Sequence, residues 1–246
     1  GLDTTVNLAN RDGHRITALR LNPTGKPLTA KDKVSVIALA ASDVFRPHER
    51  EDVEQARRRL GLPERYLLYV GSIEPRKNVK ALIRAYAKAR DDLGDTNLVL
   101  VGRRSWGIPN LPQFIDDLRL TGRVVHRRDI GQADLPLVYC GAIALAYPSL
   151  YEGFGLPALE AMQCGTPVLT SRTSSLPEVV GDDAVLVDPS SIDDIASGLV
   201  EIASDRALRE RLSQRGLERA GQFSWARCAE QTIAAYEAAV RDQAAR

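Results

Sequence analysis

Aromatic residues make up only 5% of this 246-residue chain, histidine and cysteine each occur three times, and methionine once. Each scarcity closes off a class of chemistry. His14, His48 and His126 are scattered, which does not support a His-rich metal centre or a Ser-His-Asp triad. Cys140, Cys164 and Cys228 lie far apart with no C-x-x-C pair. That spacing argues for small buried thiols rather than a disulfide framework or a zinc site. No G-x-G-x-x-G stands at a strand end, which disfavours a dinucleotide-binding dehydrogenase. Charge of one sign is lacking too. At a net +1 there is no global field to attract nucleic acid, so any anion site must be local. There is no long apolar run and no signal-peptide pattern, and the address expected on those grounds is cytoplasmic.

What remains is an ordinary globular composition, 44% hydrophobic and 26% charged. From residue 34 onward short apolar runs alternate with helical patterns. Strands are predicted at 34–38, 66–70, 98–101, 124–125, 143–147, 168–171 and 184–187. Helices are predicted at 53–60, 78–93, 111–120, 135–140, 157–164, 192–203, 206–221 and 225–240. Asn78 and Ser224 are placed to cap two of them, and Pro157 and Gly165 bracket a third. This alternation predicts an α/β fold, a Rossmann-like parallel sheet with helices on both faces. Ligands in such sheets bind beyond the carboxyl ends of the strands. Residues 1–33 stand outside the pattern, with a hairpin expected around Arg11-Asp12-Gly13 and a linker after it.

Three segments carry candidate chemistry. In Gly71-Ser72-Ile73-Glu74-Pro75-Arg76-Lys77-Asn78, a glycine frees the strand exit and two cations precede a helix start. Cations beside free helix amides suit phosphate, although a solvated basic turn fits this segment equally well. In Tyr147 to Glu160, Gly153 and Gly155 allow close backbone approach, Leu156-Pro157 opens a helix, and Glu160 lies about one turn inside it. Glu152 and Glu160 could flank one polyol phosphate. Ser174-Ser175-Leu176-Pro177-Glu178 reads mainly as a turn, with Glu178 a cap or a ligand contact. His126-Arg127-Arg128, after a short strand, could line a base pocket or be a solvated turn.

Taken together, these motifs resemble the C-terminal domain of the group 1 retaining glycosyltransferases with GT-B architecture, over roughly residues 34–240. Glu152 and Glu160 match the family's E-x7-E pattern, embedded in Ser-Leu-Tyr-Glu-Gly-Phe-Gly-Leu-Pro and Glu-Ala-Met-Gln-Cys-Gly-Thr-Pro-Val. Glu74-Pro75-Arg76-Lys77-Asn78 and Phe223-Ser224-Trp225 match as well. The resemblance implies roles by position. Arg76 and Lys77 would bind the donor diphosphate, Glu160 the ribose hydroxyls, and Glu152 the sugar hydroxyls beside the anomeric carbon. The amides of Gly153, Phe154, Gly155 and Leu156 would hold sugar hydroxyls and phosphate. Gly71, Ser72, His126 and Arg127 would complete the donor site, with His126–Arg128 as a loop bordering the base. Ser72 stands where many members have arginine, which shifts weight onto Arg76.

The implied reaction is glycosyl transfer with retention from a nucleotide-diphosphate sugar, without a metal or other cofactor. The Glu-Pro-Arg-Lys-Asn branch often includes mannosyltransferases, which points to GDP-mannose. By the same resemblance, 34–223 is the donor domain and 224–246 a crossover helix. The N-terminal acceptor domain would be supplied in cis or as a second chain, and would carry any peripheral association with the inner face of the membrane. Without that domain the chain is expected to be inactive. The competing readings are a non-catalytic nucleotide-sugar-binding module and a GT-B-like nucleotide-sugar epimerase.

Overall fold

A computed structural model of the chain describes residues 18–19, 34–103 and 108–244. Its centre is a six-stranded parallel sheet. The strands are β3 (Tyr66–Val70), β4 (Asn97–Val101), β5 (Val124–Arg127), β6 (Ala144–Tyr147), β7 (Val168–Ser171) and β8 (Val185–Val187). Every residue of β3, β6 and β7 is buried, the pattern of strands covered on both faces. The spatial order is β5-β4-β3-β6-β7-β8. The chain therefore builds outward from β3 through β4 to β5, then returns to lay β6 on the other side of β3. The reversal opens a crevice between β3 and β6, the place where open α/β sheets bind ligands.

Helices cover the sheet in two packed groups. Helix α2 (Val79–Ala89) buries Val79, Leu82, Ile83 and Tyr86 and packs against α7 (Ile192–Ser204). The other group is α1 (Arg50–Arg59), α4 (Leu135–Cys140), α5 (Leu156–Gln163), α6 (Leu176–Val180) and α8 (Arg206–Ala220). There α4 touches α1 and α5, and α5 touches α6 and α8. Helix α3 (Leu111–Asp117) follows β4. Helix α9 (Trp225–Ala244) closes the described chain, its start capped by Ser224, whose Oγ accepts from the Arg227 amide at 3.2 Å. It leaves Trp225, Ile233, Tyr236 and Val240 exposed. No helix of the described residues is long and apolar enough to cross a membrane.

Three sequence expectations are corrected. Residues 34–38 do not open the parallel sheet. Val34–Ser35 (β2) pairs antiparallel with Ala18–Leu19 (β1) as a separate ribbon, and the chain after it is irregular, because Ile37 and Ala40 are buried without alternation. The segment read as a turn before Glu178 contains α6, opened by Pro177 near its first position. Asn78 does not cap α2 through its side chain; it takes a left-handed conformation at φ 60° instead. The hairpin expected at Arg11-Asp12-Gly13 lies outside the described residues.

The ends of β3 and β4 meet so closely that only glycine fits. A Cβ added to Gly102, at φ +147°, would sit 2.0 Å from the Gly71 carbonyl oxygen. Gly122, at φ +81°, has nothing within 4 Å of its notional Cβ. Gly102→Ala should therefore cost on the order of 3 kcal/mol in a urea melt, and Gly122→Ala about 1 kcal/mol. Equal losses would show that the close approach is not a constraint.

Candidate functional site

The loops leaving β3 and β6 face each other across the crevice. After β3 the chain passes Gly71 and Ser72 into a 3-10 turn, Pro75–Lys77, so Arg76 and Lys77 sit on a formed turn just before α2. The Tyr69 hydroxyl donates to the Ser72 carbonyl at 2.9 Å, and a Cβ on Gly71 would come within 3.0 Å of that hydroxyl. The Leu150 amide donates to the Arg76 carbonyl at 2.9 Å, which joins the two loops. Asn78 ties them again: its side-chain amide donates to the carbonyls of Pro148 at 3.0 Å and Pro189 at 2.7 Å. Its left-handed backbone is what aims the amide at both, a conformation Asn tolerates better than most residues.

Glu152 is the hub. Its side chain is only 6% exposed. Lys77 Nζ donates to Oε1 at 2.8 Å and to Oε2 at 3.0 Å. The Tyr147 hydroxyl donates to Oε1 at 2.7 Å and accepts from Lys77 Nζ. Arg76 Nη1 reaches Oε2 at 2.9 Å and also donates to the Tyr151 carbonyl, while its Nη2 reaches Glu74 at 2.7 Å. Burial opposes the charge on Glu152. The Lys77 hydrogen bond and charge, helped by the Tyr147 hydroxyl, outweigh burial and hold its carboxyl below the usual range. Glu152 is thus a permanent anion in neutral solution.

The two cations are not equivalent. The Lys77 side chain is 11% exposed and serves as the buried anchor of Glu152, whereas Arg76, at 42%, presents its guanidinium to solvent. An incoming anion meets Arg76 first.

From Glu152 the chain runs into the glycine loop and α5. Ser174 and Ser175, in the turn after β7, hold this loop by their hydroxyls. Ser174 Oγ donates to the Glu152 carbonyl at 2.7 Å and accepts from the Glu152 amide at 3.0 Å. Ser175 Oγ donates to the Phe154 carbonyl at 3.0 Å. Gly155 adopts φ +105°, and a Cβ there would lie 2.7 Å from the Leu176 side chain. Among the described residues, no group accepts a hydrogen bond from the amides of Gly153, Phe154, Gly155 or Leu156. Those donors, at the start of α5, suit phosphate or hydroxyl oxygens.

Glu160 lies in the second half of α5. The Tyr139 hydroxyl donates to its Oε2 at 2.8 Å. Burial raises its pKa, and the Tyr139 bond only partly offsets that. The two carboxylates are therefore driven in opposite directions, Glu152 down and Glu160 up. A desolvated Glu160 gains from hydroxyl donors that restore what burial removes.

His126 and Arg127 belong to strand β5 rather than to a loop. His126 Nε2 pairs with the Gly102 carbonyl at 2.9 Å, which places the ring beside the β3–β4 strand ends. Arg127 is not brought to the cluster. Its guanidinium bonds Asp129 at 2.9 Å and the Leu60 carbonyl, and it holds the Asp129 carboxyl down at about 2. Phe154 packs edge-on against Phe223 with ring centroids 5.8 Å apart. With Gly153, Ser175 and Glu178 it lines a cleft of about 80 Å³ beside the loop. A larger cavity of about 280 Å³, lined by His48, Asp52 and Arg59, shares no residue with the cluster. Among the described residues, no three His, Cys, Asp or Glu side chains gather in a group that could hold a metal ion.

The model of the family "Glycosyl transferases group 1" matches residues 52–219. The chain is 38% identical over 208 residues to "O-antigen chain mannosyltransferase B" of Escherichia coli, covering 84% of this chain and 55% of that protein. The fold resembles sucrose-phosphate synthase from Thermosynechococcus elongatus, with a TM-score of 0.71, 29% identity, and coverage of 83% of this chain and 52% of that one. It also resembles the C-terminal domain of LpcC, a glycosyl transferase group 1 family protein from Francisella tularensis, with a TM-score of 0.65 and 26% identity. There the match covers 74% of this chain and 97% of that domain. The chain spans between a quarter and just over half of the length of the curated relatives it matches.

The division between the two cations can be tested by stability alone. Lys77→Ala should cost about 3 kcal/mol, because it strips a buried carboxylate of its main partner. Arg76→Ala, at the solvent edge, should cost less than about 1 kcal/mol. Because the folded pKa of Glu152 is depressed, its stabilisation is present above the ordinary value of 4.5 and fades as pH falls through the folded value. Glu152→Gln should flatten that part of the acid profile in denaturant melts. An unaltered profile would remove the ion pair from its assigned place.

Proposed function

The chain belongs to the group 1 glycosyl transferases, and we propose that it is the donor-binding half of a retaining glycosyltransferase that uses a nucleotide-diphosphate sugar. The observation that carries this reading is the set of groups converging on the β3–β6 crevice. An exposed arginine, a buried lysine–glutamate pair, and four amides with no acceptor among the described residues lie there. That set suits a ligand with a diphosphate in the middle and hydroxyls on both sides of it. The likeness to a mannosyltransferase favours mannose as the sugar and GDP-mannose as the donor.

In this reading Arg76 moves from Glu152 and Glu74 onto the diphosphate, joined by the amides of Gly155 and Leu156 at the start of α5. Lys77 stays with Glu152 and adds its charge from beneath. Glu152 accepts from the sugar hydroxyls next to the anomeric carbon, with the Gly153 and Phe154 amides completing the sugar's contacts. Glu160 accepts from the ribose hydroxyls. His126, beside Gly71, Ser72 and Gly102, borders the base; Arg127 shapes that border through Asp129 rather than by contact. The acceptor hydroxyl attacks the anomeric carbon on the face the diphosphate leaves, and a leaving phosphate oxygen takes the proton. The protein's share is charge stabilisation on the diphosphate as the bond breaks. Arg76, Lys77 and the helix end supply that charge, so the proposed reaction needs no metal.

The acceptor site is proposed to lie on a second domain outside these residues, in the same polypeptide or in another chain. The apolar face of α9 is the proposed meeting surface, with residues 34–223 as the donor domain proper.

Calorimetry with UDP-, GDP- and ADP-sugars tests the site. One of the three should bind, and Arg76→Ala should weaken it by about tenfold or more, the loss of a charge-assisted contact. A chain that binds none of them overturns the reading. The purified chain alone should transfer no sugar, and measurable turnover would overturn the division into halves.

A further inference from the structure

We propose that Tyr147 is the positioning residue of this site, its single hydroxyl setting Glu152 and Lys77 together for the donor's sugar; this rests on the donor-site reading above.

The hydroxyl has one proton to give and lone pairs to receive. It gives the proton to Glu152 Oε1 at 2.7 Å and accepts from Lys77 Nζ. One oxygen thereby fixes the carboxylate and the ammonium relative to each other. The phenol is also fixed through its ring and its backbone. The ring stacks on Tyr69 at 6.0 Å with 29° between planes. The backbone carbonyl accepts from the Thr170 hydroxyl at 2.9 Å, and the residue is fully buried in β6.

The polarity of the arrangement follows from ionisation. Burial first, then the neighbouring Glu152 charge, raises the Tyr147 pKa far above its ordinary value, so the phenol keeps its proton. A neutral phenol can only donate to the carboxylate. That commits Oε1 to Tyr147 and Lys77 and leaves Oε2, which Tyr147 does not touch, shared between Arg76 and the longer bond from Lys77. When Arg76 turns to the diphosphate, Oε2 keeps Lys77 and regains the lone pair that can accept a sugar hydroxyl. A tyrosine beneath the site thus decides which carboxylate oxygen meets the donor, without touching the donor itself.

This separates two quantities that calorimetry can read: affinity for the nucleoside diphosphate and the extra affinity that the sugar adds. GDP and GDP-mannose serve as the pair, or the UDP or ADP pair if that is the base bound. In Tyr147→Phe the nucleoside diphosphate should bind within about twofold of wild type, because Arg76 and the amides are untouched. The increment from the sugar should fall about fivefold, the effect of one lost hydrogen bond on its acceptor. Its pH dependence should move as well. With one donor to Glu152 removed, the carboxylate protonates at a higher pH, so the increment should vanish on acidification earlier than in wild type.

An unchanged increment with an unchanged pH midpoint overturns the proposal. Equal weakening of both ligands in a folded variant also overturns it, since that marks a general packing role. A wild-type chain that binds the diphosphate but gains nothing from the sugar overturns it too. If neither ligand binds wild type, the donor-site reading itself falls and takes this one with it. Should the Phe variant fail to fold, site-specific replacement of Tyr147 by 3-fluorotyrosine keeps the shape and makes a stronger donor. The midpoint must then move to lower pH, and a midpoint that stays put overturns the proposal.

Discussion

The buried contact between Lys77 and Glu152 is the constraint around which the rest of the site is arranged. A carboxylate and an ammonium withdrawn from water lose hydration worth several kcal/mol each, and their attraction repays that only with good geometry and further hydrogen bonds. Here the further bonds come from Tyr147 beneath and Arg76 above. The pair joins the loop after β3 to the loop after β6, so it also closes the crevice floor. The other features are consequences of keeping that floor intact. Asn78 is bent into a left-handed conformation to clamp the same two loops. Ser174 and Ser175 hold the backbone on the far side of Glu152.

Why the ions sit there and not elsewhere is a matter of topology. Only at the reversal of strand order do two adjacent strand exits diverge enough to leave a crevice. The glycines make the approach possible. Gly102 lets β4 end against Gly71, and Gly155 lets α5 begin against Leu176. Two cations and Glu152 then share one small region, and Glu160 follows within α5, its pKa shifted the opposite way.

Much of this was legible in the chain of letters, and the parts that were not share a cause. The strands at 66–70 and 168–171 coincide with prediction to the residue: the first is a continuous apolar run, as a strand buried on both faces tends to be, and the second is a short run fenced by Pro167 and Arg172. Residues 34–38 carry the same β-branched signal, yet pair as a short antiparallel ribbon, since composition does not say which neighbour a strand takes. Arg76, Lys77, Glu152 and the glycine loop could be picked out because cations just before one helix start, and glycines followed by Leu-Pro at another, are a local pattern that suits phosphate. Tyr147, Ser174 and Ser175 could not. A tyrosine at the end of a buried strand looks like core filling, and two serines before Leu-Pro look like a turn. Their importance lies in hydroxyl partners 5 to 70 residues away, and pairing at such separations leaves no local pattern. Arg127 shows the reverse error: a conspicuous basic residue whose guanidinium is already bound to Asp129 and Leu60.

The clamp made by Asn78 bears on how the molecule comes into being. Its amide reaches a carbonyl just after β6 and another just after β8, 70 and 111 residues further along. Neither acceptor is in place until the returning half of the sheet has assembled beside β3. Closing loops of that length costs entropy before either contact is gained. Without the returning half of the sheet the chain has no crevice to fill. A ligand that recognises the finished crevice binds the folded chain and not the unfolded one, so its concentration becomes part of the stability of the fold.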